Sequence, residues 1–166
     1  MKLRNDLIEL IEKSGQKILV NGKMTKEMCN VTFKCDVNEK VVLSSEQSEY
    51  VANKMCEYNA SIFKMINILT EDLNSRQACF SLDLKNENPN CIVSVHFLIR
   101  NSELKCLVYQ RSLDVKTKLL QDFFFIKSLA LMISSIFDMK KIGIRFYVGS
   151  LHYHIDDDSN FNKLLA

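Results

Sequence analysis

The chain has 166 residues, 47% of them hydrophobic and only one a proline, which is enough for one domain with a real core and leaves little room for a second. Its 22 lysines and arginines against 20 aspartates and glutamates leave a net charge of +2, and no basic run suits general nucleic-acid binding, so an anionic ligand is expected at a local site. The opening MKLRNDLIELIEKSG lacks a signal peptide's apolar stretch, and no apolar run approaches the roughly 20 residues of a membrane span.

No membrane association is therefore expected, and a cytoplasmic setting, in a cell or in a phage or other virus growing inside one, fits best. The six cysteines, Cys29, Cys35, Cys56, Cys79, Cys91 and Cys106, form no Cys-x-x-Cys pair. They read as reduced, mostly buried thiols rather than as disulfides or a metal cluster.

In chain order, Leu3, Leu7, Ile8, Leu10 and Ile11 recur at helical spacing, and Gly15 stands where a left-handed cap would end that helix. Short strands follow over Lys17–Val20, Val31–Val37 and Lys40–Leu43, separated by Asn21-Gly22 and Asn38-Glu39. Ser44 and Gln47 make a capping box for a helical stretch from about Glu46 to Leu73, with a break near Asn59. The second half alternates more cleanly, with strands over Ala78–Leu84, Cys91–Arg100 and Leu104–Gln110, the last two linked by Asn101-Ser102-Glu103. From about Asp122 to Met139 runs a helix apolar on most sides, which places it in the middle of the domain. Ile142–Val148 is a further strand, and the segment after Asp156 is acidic and loosely held.

Three segments carry chemistry. Asn86-Glu87-Asn88-Pro89-Asn90 is rich in turn residues and presents Cys91 at the start of a strand, where a thiol can act as a nucleophile; a cysteine so placed is more often structural. In Tyr109-Gln110-Arg111-Ser112-Leu113-Asp114 the arginine offers a planar fork matched to phosphate oxygens and the serine a further donor; the plainer reading is a solvated strand end with a helix cap. In Val148-Gly149-Ser150-Leu151-His152-Tyr153-His154 the two histidines point to one side of a strand, the beginning of a metal site, but no third ligand is evident and no metal is expected.

Together, the cysteine after the proline turn, Gln110-Arg111-Ser112-x-Asp114, Asp122 and Gly149-x-x-His152 resemble, in order and spacing, the nucleotide-binding half of thymidylate synthase and of its relative deoxycytidylate hydroxymethylase. The resemblance implies an α+β fold in which a mixed or antiparallel sheet packs on a long buried central helix, with the sheet face used for pairing into a homodimer. It also implies roles: Cys91 as the nucleophile adding to carbon 6 of a pyrimidine, with Arg111 favouring its thiolate; Arg111 and Ser112 on the phosphate; Asp122 and His152 on the base; and Gln110, Asp114 and His154 elsewhere in the pocket. Two weaker echoes are Gly22-Lys23-Met24-Thr25-Lys26-Glu27, like the family's phosphate loop with Asn21 in place of its arginine and Lys23 or Lys26 as substitute charges, and Leu73-Asn74-Ser75-Arg76-Gln77, whose Arg76 would cross to the partner's phosphate. Where thymidylate synthase has an asparagine to read uracil, this chain has Asp122, as deoxycytidylate hydroxymethylases do; a carboxylate accepts from cytosine's amine and, protonated, donates to ring nitrogen 3.

Much else departs from the family. There is no tryptophan, so the rings that stack on folate are missing. Only the helical stretch after Ser44 stands where family enzymes carry their insert with its catalytic glutamate, for which Glu46, Glu49 or Glu57 would have to substitute. Val115 to Gln121 replaces the glycine-rich folate platform, Ile92 replaces the histidine after the cysteine, and the chain stops soon after His152, without the family's closing C-terminal segment. Ser150, His154 and Asp156 replace the aspartate, the sugar-binding tyrosine and the asparagine of the last motif.

The expectation is thus a single domain over 1–166 without folate insert or lid, a degenerate, non-catalytic binder of a pyrimidine nucleoside monophosphate, leaning to cytidine and needing no cofactor. The alternatives are an active hydroxymethylase or methylase using Cys91 and 5,10-methylenetetrahydrofolate, and a protein-interaction module that regulates a protein partner on the same scaffold.

Overall fold

A computed structural model describes residues 2–39, 42–82 and 90–155. In chain order these form α1 (Lys2–Ser14), β1 (Gln16–Val20), β2 (Lys23–Cys35), α2 (Ser45–Glu57), α3 (Asn59–Glu71), β3 (Cys79–Ser81), β4 (Ile92–Arg100), β5 (Glu103–Asp114), α4 (Leu119–Ile136) and β6 (Lys141–His154). The strands make one mixed sheet in the order β1-β2-β6-β5-β4-β3, every pair antiparallel except β5 with β6. A parallel pair needs a crossover, and α4 supplies it. This α+β architecture on a buried central helix is the one the sequence implied.

Local chemistry explains most boundaries. Asn21 and Gly22 both take positive φ, 49° and 78°, which is the two-residue turn that matches strand twist and closes the β1–β2 hairpin. Ser44 and Gln47 cap α2 reciprocally, as their spacing predicts. The long helical stretch is two helices, broken at Tyr58 with Asn59 opening α3. Gly15 does end α1 through its N–H to the Ile11 carbonyl, but not in a left-handed conformation; its missing Cβ matters because one would stand 2.6 Å from that carbonyl oxygen. Val42 and Leu43 form no strand, while residues 40 and 41, the end of the expected Ala78–Leu84 strand, the Pro89 turn and the tail from 156 lie outside the described residues. Exposure also corrects the cysteine reading: the thiols are free, yet Cys29, Cys56 and Cys79 are exposed and only Cys35 and Cys106 are buried.

α4 is the core. Leu119, Phe123, Ile126, Leu129, Ala130 and Ile133 are fully enclosed against the sheet. By length and composition it would also suit a membrane span, but more than half of it is buried inside the fold, the setting of a core helix. The opposite face of the sheet carries Thr32, Lys34, Lys105, Leu107, Tyr109, Arg145 and Tyr147, all at least partly exposed, with the Tyr109 and Tyr147 rings stacked at 5.2 Å.

The sheet has one irregularity that decides where the site lies. Along β5 the buried positions are Leu104, Cys106, Val108 and Gln110, then shift phase to Leu113; along β6 they are Ile144, Phe146 and Val148, then Leu151 and Tyr153. Pairing of β6 skips Gly149 with both neighbours, and the β2 residue opposite it, Asn30, sits at φ 57°. A bulge thus runs in line through Asn30, Gly149 and Arg111. Gly149 is required there because a Cβ would come 2.8 Å from the Arg111 carbonyl oxygen. We expect Gly149→Ala to lower stability by about 1–3 kcal/mol, the usual effect of overpacking, measured by urea denaturation; an unchanged midpoint would show that the bulge can relax.

Candidate functional site

The topology brings the start of β2, the end of β6, the end of β5, the start of β4 and the N-terminus of α4 to one end of the sheet. Ligands of sheets with parallel strands sit at such ends, beyond the carboxyl termini of the strands. Two cavities open here. The larger, about 450 Å³, is lined by Tyr50, Lys54, Leu82, Asn90, Cys91, Ile92, Lys118, Gln121, Asp122 and Phe125. Its neighbour, about 270 Å³, is lined by Val20, Asn21, Thr25, Glu27, Arg111, Ser112, Ser150, His152 and His154. The Ser112 hydroxyl donates to Cys91 Sγ at 3.4 Å, so the two meet at that contact.

Cys91 is half-buried, its carbonyl accepting from the Arg111 N–H at 2.9 Å. That backbone bond and the one from Arg111 Nε to the Asn90 carbonyl, 3.4 Å, tie the arginine beside the thiol. Asn90 is held in turn by Lys54 Nζ at 2.6 Å and donates to the Tyr58 hydroxyl at 2.5 Å. Lys54 also pairs with Glu57.

Asp122 lies in the first turn of α4, where the helix dipole favours an anion, and only 3% of it is exposed. Gln110 Nε2 donates to one carboxylate oxygen at 2.6 Å and the Tyr50 hydroxyl to the other at 3.3 Å. Burial pushes its pKa up to about 6, against the opposing pull of those two donors and of the Lys118 and Lys54 charges. The Tyr50 phenol is pushed up as well, first by burial and then by the Asp122 charge. Two buried atoms in this group, Gln110 Oε1 and Gln121 Nε2, have no hydrogen-bond partner among the described residues.

In the second cavity the Ser150 hydroxyl donates to Glu27 and lies 3.3 Å from His152 Nδ1, and Thr25 Oγ1 lies 3.0 Å from His154 Nδ1. Asp114 stands opposite His152 in the parallel register, its Oδ1 accepting from the Lys116 and Thr117 N–H groups.

The structure thus brings Cys91 and Asp122 into one cavity, with Gln110 behind the carboxylate, and Arg111, Ser112, His152 and His154 into the adjoining one, with Asp114 beside them. Lys23 stands at the same end but lines neither cavity. Arg76 does not join them: its carbonyl meets His96 Nε2 at 3.1 Å, away from this end of the sheet. The sequence did not single out Tyr50, Lys54, Asn90 and Gln121. Tyr50 and Lys54 lie four residues apart on one face of α2, and that spacing was their only signal.

The family model described as Thymidylate synthase matches residues 47–165. The chain belongs to the thymidylate synthase family. The α+β fold with its six-stranded mixed sheet is consistent with that family. No curated protein matches the chain. The matched span contains every site residue from Tyr50 to His154 and leaves out α1, β1 and β2, so Thr25 and Glu27 are contributed by a part of the chain that the family match does not reach.

The raised pKa of Asp122 has a stability consequence. Between about pH 4 and pH 6 the folded state holds this proton more tightly than the unfolded chain does, so stability falls as pH rises through that window and stays lowered above it. Asp122→Asn should therefore be more stable than the natural protein at pH 7 by up to about 3 kcal/mol, the difference vanishing below about pH 4. Urea midpoints at both pH values check this, and a constant offset would show that the carboxyl titrates normally.

Proposed function

We propose that this chain binds a pyrimidine nucleoside monophosphate, cytidylate in preference to uridylate, and does not transfer a one-carbon unit. The observation that carries this reading is the placement of Asp122: a buried carboxyl, braced on both oxygens, facing the same cavity as Cys91. A cavity of this size falls in the usual range for small ligands. A cytosine ring placed there offers an amine to the carboxylate, and a proton shared near pH 6 lets the same group donate to ring nitrogen 3. Arg111 and Ser112 form the rim on which the phosphate would rest, Arg111 supplying the planar fork.

The folate half of the reaction finds less support. Of the described cavity walls only Tyr50 and Phe125 are aromatic; Phe125 is buried, which leaves the half-buried Tyr50 as the single ring on which a pterin could stack. Glu46 and Glu49 are exposed and line neither cavity, and Glu57 is paired with Lys54. The described residues of the two cavities do not fit methylenetetrahydrofolate.

The helix-free sheet face, with Tyr109 41% exposed, suits pairing with a second copy, in which Arg76 would serve the other protomer's phosphate.

Calorimetry with dCMP, CMP and dUMP tests the reading. Binding of a cytidylate is expected to strengthen from pH 8 to pH 6 and to weaken about 10–100-fold in Arg111→Ala, as loss of a charged hydrogen-bond donor implies. Asp122→Asn should move the preference to dUMP. Flat traces for all three nucleotides would favour a protein-interaction module instead. Release of tritium from carbon 5 of labelled dCMP with folate, abolished in Cys91→Ala, would restore the enzyme.

A further inference from the structure

We propose that Asp114, His152 and His154 form a binding site for a divalent first-row transition metal ion such as zinc, independent of what fills the Cys91 cavity. A ring nitrogen of each histidine and a carboxylate oxygen of Asp114 all lie within 4.8 Å of one another. Two imidazoles and one carboxylate are a donor set that suits such ions and leaves coordination positions open. Ligands on a tetrahedral zinc, with bonds of about 2.0–2.1 Å, stand roughly 3.3 Å apart. The three groups therefore need to draw in by up to about 1.5 Å, within reach of half-buried side chains.

The hydrogen bonds around the triad are compatible with both Nε2 atoms being available. Thr25 Oγ1 lies 3.3 Å from the Lys23 carbonyl and 3.0 Å from His154 Nδ1, and with its proton on the carbonyl it accepts from a protonated Nδ1. The Ser150 hydroxyl gives its proton to Glu27 and likewise can only accept from His152 Nδ1. With the hydroxyls so engaged, each ring holds its proton on Nδ1 and offers Nε2 to a metal, the tautomer that the proposal requires. This is the arrangement in which a hydroxyl or carboxylate behind each histidine orients it for a metal. Asp114 is prepared in the same way: two backbone N–H groups hold Oδ1 and leave Oδ2 as the donor. Arg111 and Ser112 line the same cavity, so an anion or water can complete the coordination sphere.

The test is a zinc titration of the full chain in competition with a chromophoric chelator, repeated with cobalt to read the ligand type from its absorption. One metal ion per chain is expected, without the thiolate charge-transfer band that a cysteine ligand would give. His154→Ala and Asp114→Asn should weaken binding at least 100-fold. Thr25→Val, which keeps all three ligands, should weaken it about 10–100-fold as other losses of an orienting partner do, and Thr25→Ser should restore it. Circular dichroism confirms that each variant is folded, and Thr25→Val carries the test should a ligand variant unfold. Absent binding, affinity unchanged in His154→Ala, or binding lost instead in Cys29→Ser, the exposed thiol facing Ser150 in the register, would each overturn the proposal.

Discussion

The bulge through Asn30, Gly149 and Arg111 is the constraint on which the site depends. In a regular strand side chains alternate faces, and a shift of one residue exchanges them all. Counted from Val108 and Gln110 without a bulge, Ser112 and Asp114 would point into the core; counted from Val148, so would Ser150, His152 and His154. The extra residue in each strand reverses this. Leu113, Leu151 and Tyr153 continue the apolar surface over α1 and α4, while the hydroxyls, imidazoles and carboxylate turn to the open side. Three strands change phase on one line, so the sheet stays paired on both sides of it. The same line puts the Arg111 backbone against Cys91 and so fixes the relation between the two cavities.

The second cavity also depends on residues far from it. α1 packs on β2 below the bulge, where Glu12 receives both Lys26 and the Tyr153 hydroxyl. Tyr153 lies between His152 and His154 in sequence and faces the other way, so anchoring its ring fixes the backbone from which both histidines project. A charge pair at that exposed position adds little stability; its effect is on the aim of the strand.

Much of the fold was legible because its signals are local. The Asn21-Gly22 turn, the reciprocal cap of Ser44 and Gln47 and the apolar sides of α4 each depend on a few neighbouring residues, and each formed. Strand ends were less legible. β2 begins at Lys23 and β5 and β6 run on to Asp114 and His154, because polar strand ends leave no apolar alternation to read and the bulge breaks what alternation remains. The exposed thiols of Cys29 and Cys79 were misread for the same reason: each lies in a strand, but on the side turned away from the helices. Asp114 escaped notice as a partner of the histidines because only the parallel register of β5 on β6 makes it a neighbour of His152, and sequence spacing does not encode that pairing.

The larger cavity brings together features that a folded chain gains nothing from on its own. Asp122 is a carboxyl whose burial disfavours its charge, and an asparagine there would meet Tyr50 and Gln110 without that penalty. Among the described residues the buried Gln121 amide nitrogen finds no acceptor and one Gln110 oxygen finds no donor. Lys54 and Lys118 bring positive charge to the walls. Buried polar atoms left unpaired each carry a desolvation penalty of about 1–3 kcal/mol, so their concentration around one space is not explained by packing. A flat heterocycle presenting donors and acceptors along one edge, with an anionic group lying towards Arg111, would meet the Asp122 carboxyl and the two lysines that line the cavity. An apolar occupant, or a protein surface too broad to enter, would leave them as they are. The chemistry of the walls therefore argues for a small, polar, planar ligand.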